Sequence, residues 1–381
     1  LVVGTSNYAG ERLDLRFADQ DAAAMSQALQ STGSALFGVD RTQVNLLSTA
    51  GKTPAESSAK TNIAKAFADI AAKATPADVL VVYFSGHGMA YGDAEKAQFY
   101  YLTKDIGSED LSDPVVRNSY TISSDEFTRW LTDIPAQKQV MILDACNAGK
   151  VVESLLAAVQ KELSPSQIRA LDRMKDRTGM FILTGSAADK VSYEAGQFGQ
   201  GLLTYSILEG MKGEVPDVFG KVDVMKLFQY ACDRVPHLAK GIGGVQTPML
   251  VGPLGGSFDI GIADSTVDIR IAAVKPVFIR NNFLDEERFD DGLGLTNALK
   301  DYLIDQTALG DATFIYVDVS EYEAAYSIKG LYRISGGDVE LRGQLFKGKT
   351  PVGEAFNVKG KKEDVPALVE AVVEEVLGRV E

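Results

Sequence analysis

Asp78-Val79-Leu80-Val81-Val82-Tyr83-Phe84 is apolar after its opening acid and stops at Ser85-Gly86-His87-Gly88. A second run, Gln139-Val140-Met141-Ile142-Leu143-Asp144, stops in the same way at Ala145-Cys146-Asn147-Ala148-Gly149. Apolar stretches of this length without polar alternation fit strands buried on both faces. Leu1-Val2-Val3-Gly4, Arg41 to Leu47 and Gly179 to Leu183 read as further strands, and Gln98 to Leu102 as an edge strand or hairpin arm. Between them, helical spacing marks about Ala18–Gln30, Ile63–Lys73, Ser124–Leu131, Leu202–Met211 and Val222–Cys232. Ser123 or Ser124 is the N-cap expected for the third of these. Strand–helix alternation of this kind predicts an α/β fold, a mostly parallel sheet sandwiched between helices. Ligands bind such sheets at the carboxyl ends of the strands, which is where His87 and Cys146 fall.

A chain of 381 residues exceeds what one hydrophobic core usually supports. The pattern changes near residues 262–267. Beyond it, Asp268–Arg280 and Thr313–Val319 are strand-like, Leu293–Leu303 is helical, Ser335-Gly336-Gly337-Asp338 is a hairpin turn, and Val365–Leu377 is a terminal helix. Residues 1–261 are therefore expected to form one domain and 266–381 a small C-terminal α+β module without His or Cys.

The net charge of −14 opposes general binding to nucleic acid or anionic membrane and suits a basic partner. No apolar run reaches transmembrane length. Two cysteines and two histidines cannot build a disulfide framework or a thiolate zinc site, so no metal centre is expected. The chain opens at Leu1 inside a strand, so the natural protein is expected to start earlier; the compartment stays open between cytoplasm and periplasm.

A cysteine nucleophile needs a base, donors for the oxyanion and a hold on the substrate. Neighbouring strands lie roughly 5 Å apart, so two adjacent strand ends can aim a thiol and an imidazole at one carbonyl. Glycines at 86, 88 and 149 permit sharp turns and exposed amides. His87 and Cys146 are 59 residues apart, near the roughly 50 of a caspase-type pair. Asp144, two residues before Cys146 on an extended segment, should project beside it. A carboxylate there suits a guanidinium, although Asp144 could instead orient His87 or cap a turn. Asp21 has the rival reading of an acid favoured at a helix start. Cys232 reads as core, His237 as surface loop, Gly241-Ile242-Gly243 as loop, and the acids from Asp285 to Asp291 as a solvated face.

Tyr83-Phe84-Ser85-Gly86-His87-Gly88 and Asp144-Ala145-Cys146-Asn147-Ala148-Gly149 resemble the two catalytic motifs of caspase-like cysteine peptidases, closest to metacaspases and their bacterial relatives. Supporting matches are Gly4-Thr5-Ser6-Asn7-Tyr8, Ala18-Asp19-Gln20-Asp21-Ala22, Thr184-Gly185-Ser186, Glu194, Gly201-Leu202-Leu203-Thr204 and Gln246-Thr247-Pro248. They span about residues 1–261. Asn147-Ala148 departs from the His-Ser usual in metacaspases.

The resemblance implies a caspase-like α/β/α sandwich with a large part to about 150, a linker over about 151–177 and a small part over about 178–261. Cys146 would attack the scissile carbonyl, His87 would protonate the leaving amine, and the amides of Gly88 and Cys146 would form the oxyanion hole. Asp21, Ser85 and Asp144 match an acidic pocket selecting Arg or Lys before the cut; caspases proper carry Gln where this chain has Asp144. Self-cleavage is expected in the linker, which offers Lys161, Arg169, Arg173, Lys175 and Arg177. No cofactor is required. Calcium stays unassigned: Asp125 and Glu126 lie near the region where metacaspases bind it, but Ser123 and Ser124 stand where acids are wanted. A monomer is expected. The alternative is a catalytically quiet caspase-fold scaffold that binds a partner through its cleft or its C-terminal module. That module faintly resembles small α/β domains of bacterial envelope proteins and is given a partner-binding or positioning role.

Overall fold

The computed structural model describes residues 1–92, 98–145, 180–185, 194–195, 199–241, 246–252, 256–264, 267–272, 274–308, 313–320 and 324–380. The chain divides into two compact units. The first comprises Leu1–Ala195, Gln200–Lys240 and Gly244–Ala272; the second comprises Ala273–Glu381 with Gly196–Gly199 and Gly241–Gly243.

In the first unit the strands are β1 (Val2–Gly4), β2 (Leu46–Ser48), β3 (Val79–Ser85), β4 (Gly88–Tyr91), β5 (Gln98–Leu102), β6 (Thr121–Ser123), β7 (Lys138–Asp144), β8 (Met180–Thr184), β9 (Glu194–Ala195), β10 (Gln200–Gly201), β11 (Lys221–Asp223), β12 (Met249–Val251) and β13 (Asp259–Ile262). The helices are α1 (Ala18–Phe37), α2 (Lys60–Lys73), α3 (Pro114–Tyr120), α4 (Ser124–Asp133), α5 (Leu202–Glu209) and α6 (Val224–Gly241). The central sheet runs β12-β8-β7-β3-β1-β2. Its pairings are parallel except for β12 against β8.

Alternation along these strands assigns the two faces. Val3, Val82, Phe84, Met141, Leu143 and Ile182 pack with Ile63 and Phe67 of α2 and Phe127 and Leu131 of α4. Phe67, Phe84, Phe127 and Trp130 meet there at centroid separations of 5.0–6.5 Å. Truncating a fully buried Phe such as Phe67 costs about 3–5 kcal/mol. The opposite face takes α1, α5 and α6. Gly4 lets α1 approach β1, since a Cβ there would lie 2.6 Å from the Ala18 carbonyl. Tyr83 bonds Thr204 of α5, and Phe181 meets Phe228 of α6 edge-on. Both faces are covered, which is why β3 and β7 read as unbroken apolar runs.

Some local readings change. The residues from Arg41 do not extend as a strand: Val39–Arg41 is a 3₁₀ turn and β2 begins at Leu46. The helix expected to stop at Cys232 continues to Gly241 with Pro236 inside it. Proline there removes the N–H that would reach the carbonyl of residue 232 and crowds that carbonyl, but Val235, Leu238 and Ala239 stay buried. His237 is accordingly an exposed helical residue, not part of a loop, and Cys232 is half-buried instead of core. Of the two readings of Gln98–Leu102, the hairpin arm holds: it pairs antiparallel with β4 and sits between β4 and β6 in a small sheet.

The second unit is α+β: β14 (Val277–Phe278), β15 (Asn282–Asp285), β16 (Ile315–Tyr316), β17 (Tyr326–Ser335), β18 (Asp338–Lys347), β19 (Thr350–Lys361), α7 (Leu295–Ala308) and α8 (Val365–Leu377). Ser335 pairs with Asp338 across the expected hairpin turn. Leu299, Leu303, Leu368, Val372 and Val376 of the helices pack on Ile328, Tyr332, Leu341 and Leu345 of the sheet. The strand read over Asp268–Arg280 shrinks to Val277–Phe278, just after Pro276, and Thr313–Val319 shrinks to Ile315–Tyr316. No described helix is long and apolar enough to cross a membrane.

Candidate active site

The site lies at the carboxyl ends of β3 and β7, which pair in parallel with Ser85 opposite Asp144. The Gly86 N–H extends the ladder to the Asp144 carbonyl at 3.3 Å. His87 and Ala145 therefore leave the sheet from neighbouring strand ends. Cys146, Asn147 and Gly149, the linker 151–177 and Ser186 lie outside the described residues, as does the side chain of Glu194.

His87 is held at three points. Its ring Nε2 lies 2.8 Å from the carbonyl of Leu13, its backbone N–H donates to the Tyr8 hydroxyl at 2.9 Å, and its carbonyl accepts from Leu102 N–H at 3.0 Å. A carbonyl can only accept, so the neutral ring carries its proton on Nε2 and its lone pair on Nδ1. The Tyr8 ring packs against the imidazole at 5.3 Å. The loop that carries Tyr8 and Leu13 is itself built. Tyr8 N–H donates to Asp14, Leu15 N–H to Ser6, Ala9 N–H to Lys104 and Gly10 N–H to Ile106.

Behind the histidine, the buried Tyr101 hydroxyl lies 2.8 Å from both the Ser85 carbonyl and the Thr5 hydroxyl. Burial raises its pKa, so the phenol stays protonated. Gly86 passes between these rings at φ +156°, and a Cβ on it would sit 2.6 Å from the Tyr101 hydroxyl and 3.0 Å from that of Tyr8. Gly88 is buried and opens β4.

Asp21, Ser85 and Asp144 are all buried. Register places Ser85 beside Asp144 on the face covered by α1 and α5. Asp144 Oδ2 accepts from the Thr204 N–H at 3.2 Å and from the Thr204 hydroxyl at 2.8 Å. Asp21 Oδ2 accepts from the Gly201 N–H at 3.0 Å. Both carboxylates thus meet the start of α5, where unpaired amides and the helix dipole favour negative charge. Gly201 makes room for them: a Cβ would fall 2.6 Å from Asp144 Oδ2 and 3.0 Å from Asp21 Oδ2. Beneath lies Tyr83, whose hydroxyl is 2.6 Å from Thr204 Oγ1. Its pKa is pushed far up by burial first and then by Asp21 and Asp144.

The other motif residues support the scaffold. Asp19 accepts from the Thr49 N–H and hydroxyl, and burial raises its pKa against those bonds. Buried Gln246 donates to the Gly185 carbonyl at 2.7 Å, fastening the turn after β8. Ser123 and Glu126 form a capping box on α4, Glu126 also pairs with Lys60 at 2.7 Å, and Asp125 accepts from Gln98. Among the described residues no group of three or more His, Cys, Asp or Glu could hold a metal ion. The sequence reading gave no role to the Leu13 carbonyl, Tyr8, Tyr101, Gly201 or Thr204. Tyr8, Gly201 and Thr204 stand inside matched motifs, and that was the available signal.

Two curated proteins are similar over part of the chain. Metacaspase-4 of Arabidopsis thaliana is 27% identical over 148 residues, 39% of this chain and 32% of that protein. Metacaspase-1 of Ajellomyces capsulatus (strain NAm1 / WU24) is 28% identical over 156 residues, 40% of this chain and 41% of that protein. The matches thus span only about a third to two-fifths of those relatives. A solved structure from Geobacter sulfurreducens covers 67% of this chain and 92% of its own at 15% identity and a TM-score of 0.42, too loose to carry an argument. The caspase-domain family model, Peptidase C14, matches residues 1–257. That match takes in the parallel sheet, the His87 loop and the acids at the start of α5 alike, and with it the chain belongs to the caspase-domain family of cysteine peptidases, with metacaspases among its relatives.

Proposed function

We propose that this chain is a cysteine endopeptidase that cleaves after Arg or Lys through Cys146 and His87. The observation that supports the reading is the pairing of β3 with β7, Ser85 opposite Asp144, which puts His87 and Ala145, the residue before Cys146, just past adjacent strand ends. Cys146 as thiolate attacks the scissile carbonyl and forms a tetrahedral oxyanion, received by the amides of Gly88 and Cys146. His87 takes the thiol proton at Nδ1 and returns it to the departing amine; water then hydrolyses the acyl-enzyme. The Leu13 carbonyl fits this cycle, since it holds the Nε2 proton in place and accepts from the imidazolium when that forms.

Asp21, Ser85 and Asp144 form the pocket for the residue before the cut. Two carboxylates and a small hydroxyl favour a guanidinium or ammonium and repel an acidic side chain. The basic linker of residues 151–177 is a substrate of the same kind, cut in cis or in trans.

Arginyl, lysyl and aspartyl peptide amides with a fluorogenic leaving group test this. Arg and Lys substrates are hydrolysed and Asp is not. Cys146→Ala and His87→Ala each abolish turnover, with the folded fraction unchanged by circular dichroism. Turnover that survives Cys146→Ala, or a preference for Asp, refutes the assignment.

A further inference from the structure

The proposed pocket depends on a residue that does not belong to its acid set. We infer that Thr204 is the positioning residue that makes this pocket prefer arginine to lysine; the inference rests on the pocket reading above.

Thr204 meets Asp144 Oδ2 twice, through its N–H at 3.2 Å and its hydroxyl at 2.8 Å. Its Oγ1 also lies 2.6 Å from the Tyr83 hydroxyl. An ionised carboxylate has no proton to give, so the Thr204 hydroxyl donates to Asp144 and must accept from Tyr83. Tyr83 is suited to that: it is fully buried and its phenol is held protonated. The direction of the chain is therefore fixed, Tyr83 O–H to Thr204 O–H to Asp144 carboxylate. All three side chains are buried, where charge-assisted bonds are strongest.

Two donors on one oxygen fix the plane of a carboxylate as well as its position. A guanidinium binds through a planar fork and is sensitive to that plane, whereas an ammonium is a point charge and is not. Thr204 thus matters more to Arg than to Lys. The Gly201 N–H donates to Asp21 from the backbone, whereas Thr204 adds a side-chain donor to Asp144 that a substitution can remove.

The test uses the full chain. Thr204→Val keeps the shape and the N–H and deletes the hydroxyl; Thr204→Ser restores it; Tyr83→Phe removes the second link. The wild type first has to cleave Arg and Lys substrates and spare Asp, and failure there refutes the pocket reading itself. Given that, Thr204→Val is expected to raise KM for the Arg substrate about tenfold, the scale of one lost charge-assisted bond. It should leave kcat within about threefold and change the Lys substrate by less than about threefold, so that the Arg-to-Lys preference narrows. Thr204→Ser keeps the wild-type preference, and Tyr83→Phe narrows it by a smaller factor. Equal losses on Arg and Lys, a loss confined to kcat, or a serine variant as impaired as valine overturns the inference while leaving the pocket reading in place. If Thr204→Val does not fold, the Ser and Tyr83→Phe pair decides it: a Tyr83→Phe enzyme with unchanged preference also overturns it.

Discussion

Substituting Gly86 by alanine perturbs the site through a single methyl group whose neighbours are known. The new Cβ would lie 2.6 Å from the Tyr101 hydroxyl, 3.1 Å from its Cε2 and 3.0 Å from the Tyr8 hydroxyl. Neither hydroxyl can step aside cheaply. Tyr101 is engaged with Ser85 and Thr5, and the Tyr8 oxygen accepts the His87 N–H. Overpacking of a tight interior costs about 1–3 kcal/mol, and the φ of +156° adds strain for a side chain. A destabilisation of about 2–4 kcal/mol follows, read as a fall of about 2–4 °C in the melting point of the first unit per kcal/mol. Tyr101→Phe alone should cost only about 1 kcal/mol, because the Ser85 carbonyl keeps the Thr5 N–H at 3.0 Å. The double variant carries the decisive number. With the hydroxyl gone the alanine methyl loses its closest clash, so the two costs should sum to about 1 kcal/mol or more above the measured total. Urea unfolding of wild type, both singles and the double gives that coupling. Strict additivity would refute the idea that the Tyr101 hydroxyl is what excludes a side chain from position 86.

Gly201→Ala should leave the enzyme folded but raise KM for Arg substrates by about tenfold or more, because its Cβ would wedge between Asp144 and Asp21; steady-state kinetics measures it. Ser123→Ala removes the capping box on α4 and should cost about 1 kcal/mol by urea denaturation. In the second unit, Gly343→Ala would drive a Cβ into the Phe356 ring and should destabilise that unit by about 1–3 kcal/mol, with Phe356→Leu in the same chain recovering part of it. Cys232 has its pKa raised to about 11, by burial first and by Asp233 second. Its folded value lies above that of an unfolded thiol, so its share of stability is complete below about pH 8.5 and drains away as pH climbs toward 11. At pH 8 iodoacetamide should leave Cys232 unmodified in the folded chain, as mass spectrometry of the peptide bearing it will show.

The sheet was legible because β3 and β7 are covered on both faces and so carry no polar alternation; their runs end where the candidate site begins. The turn at Ser335–Asp338 and the cap at Ser123 were legible for the same local reason, since each is set by a few adjacent residues. What stayed hidden is made of long-range backbone contacts. Leu13 offers His87 a carbonyl, which any residue type would provide, and Thr204 reaches Asp144 from 60 positions away. Pro236 misled in the usual direction: its local preference to end a helix lost to the packing of Val235, Leu238 and Ala239. In the second unit β19 went unread because its twelve residues hold two glycines, a proline and a bulge opposite Gly343 to Leu345.

The bond from Asp21 to Gly201 spans 180 positions, and that has a bearing on manufacture by the ribosome. Cys146 and His87 are both synthesised before position 201 emerges, so for a time a growing chain would own the proposed reactive pair but not the proposed pocket. On the proposed reading, proteolytic capacity then arrives late, with completion of the fold, and a product ending short of α5 should lack it.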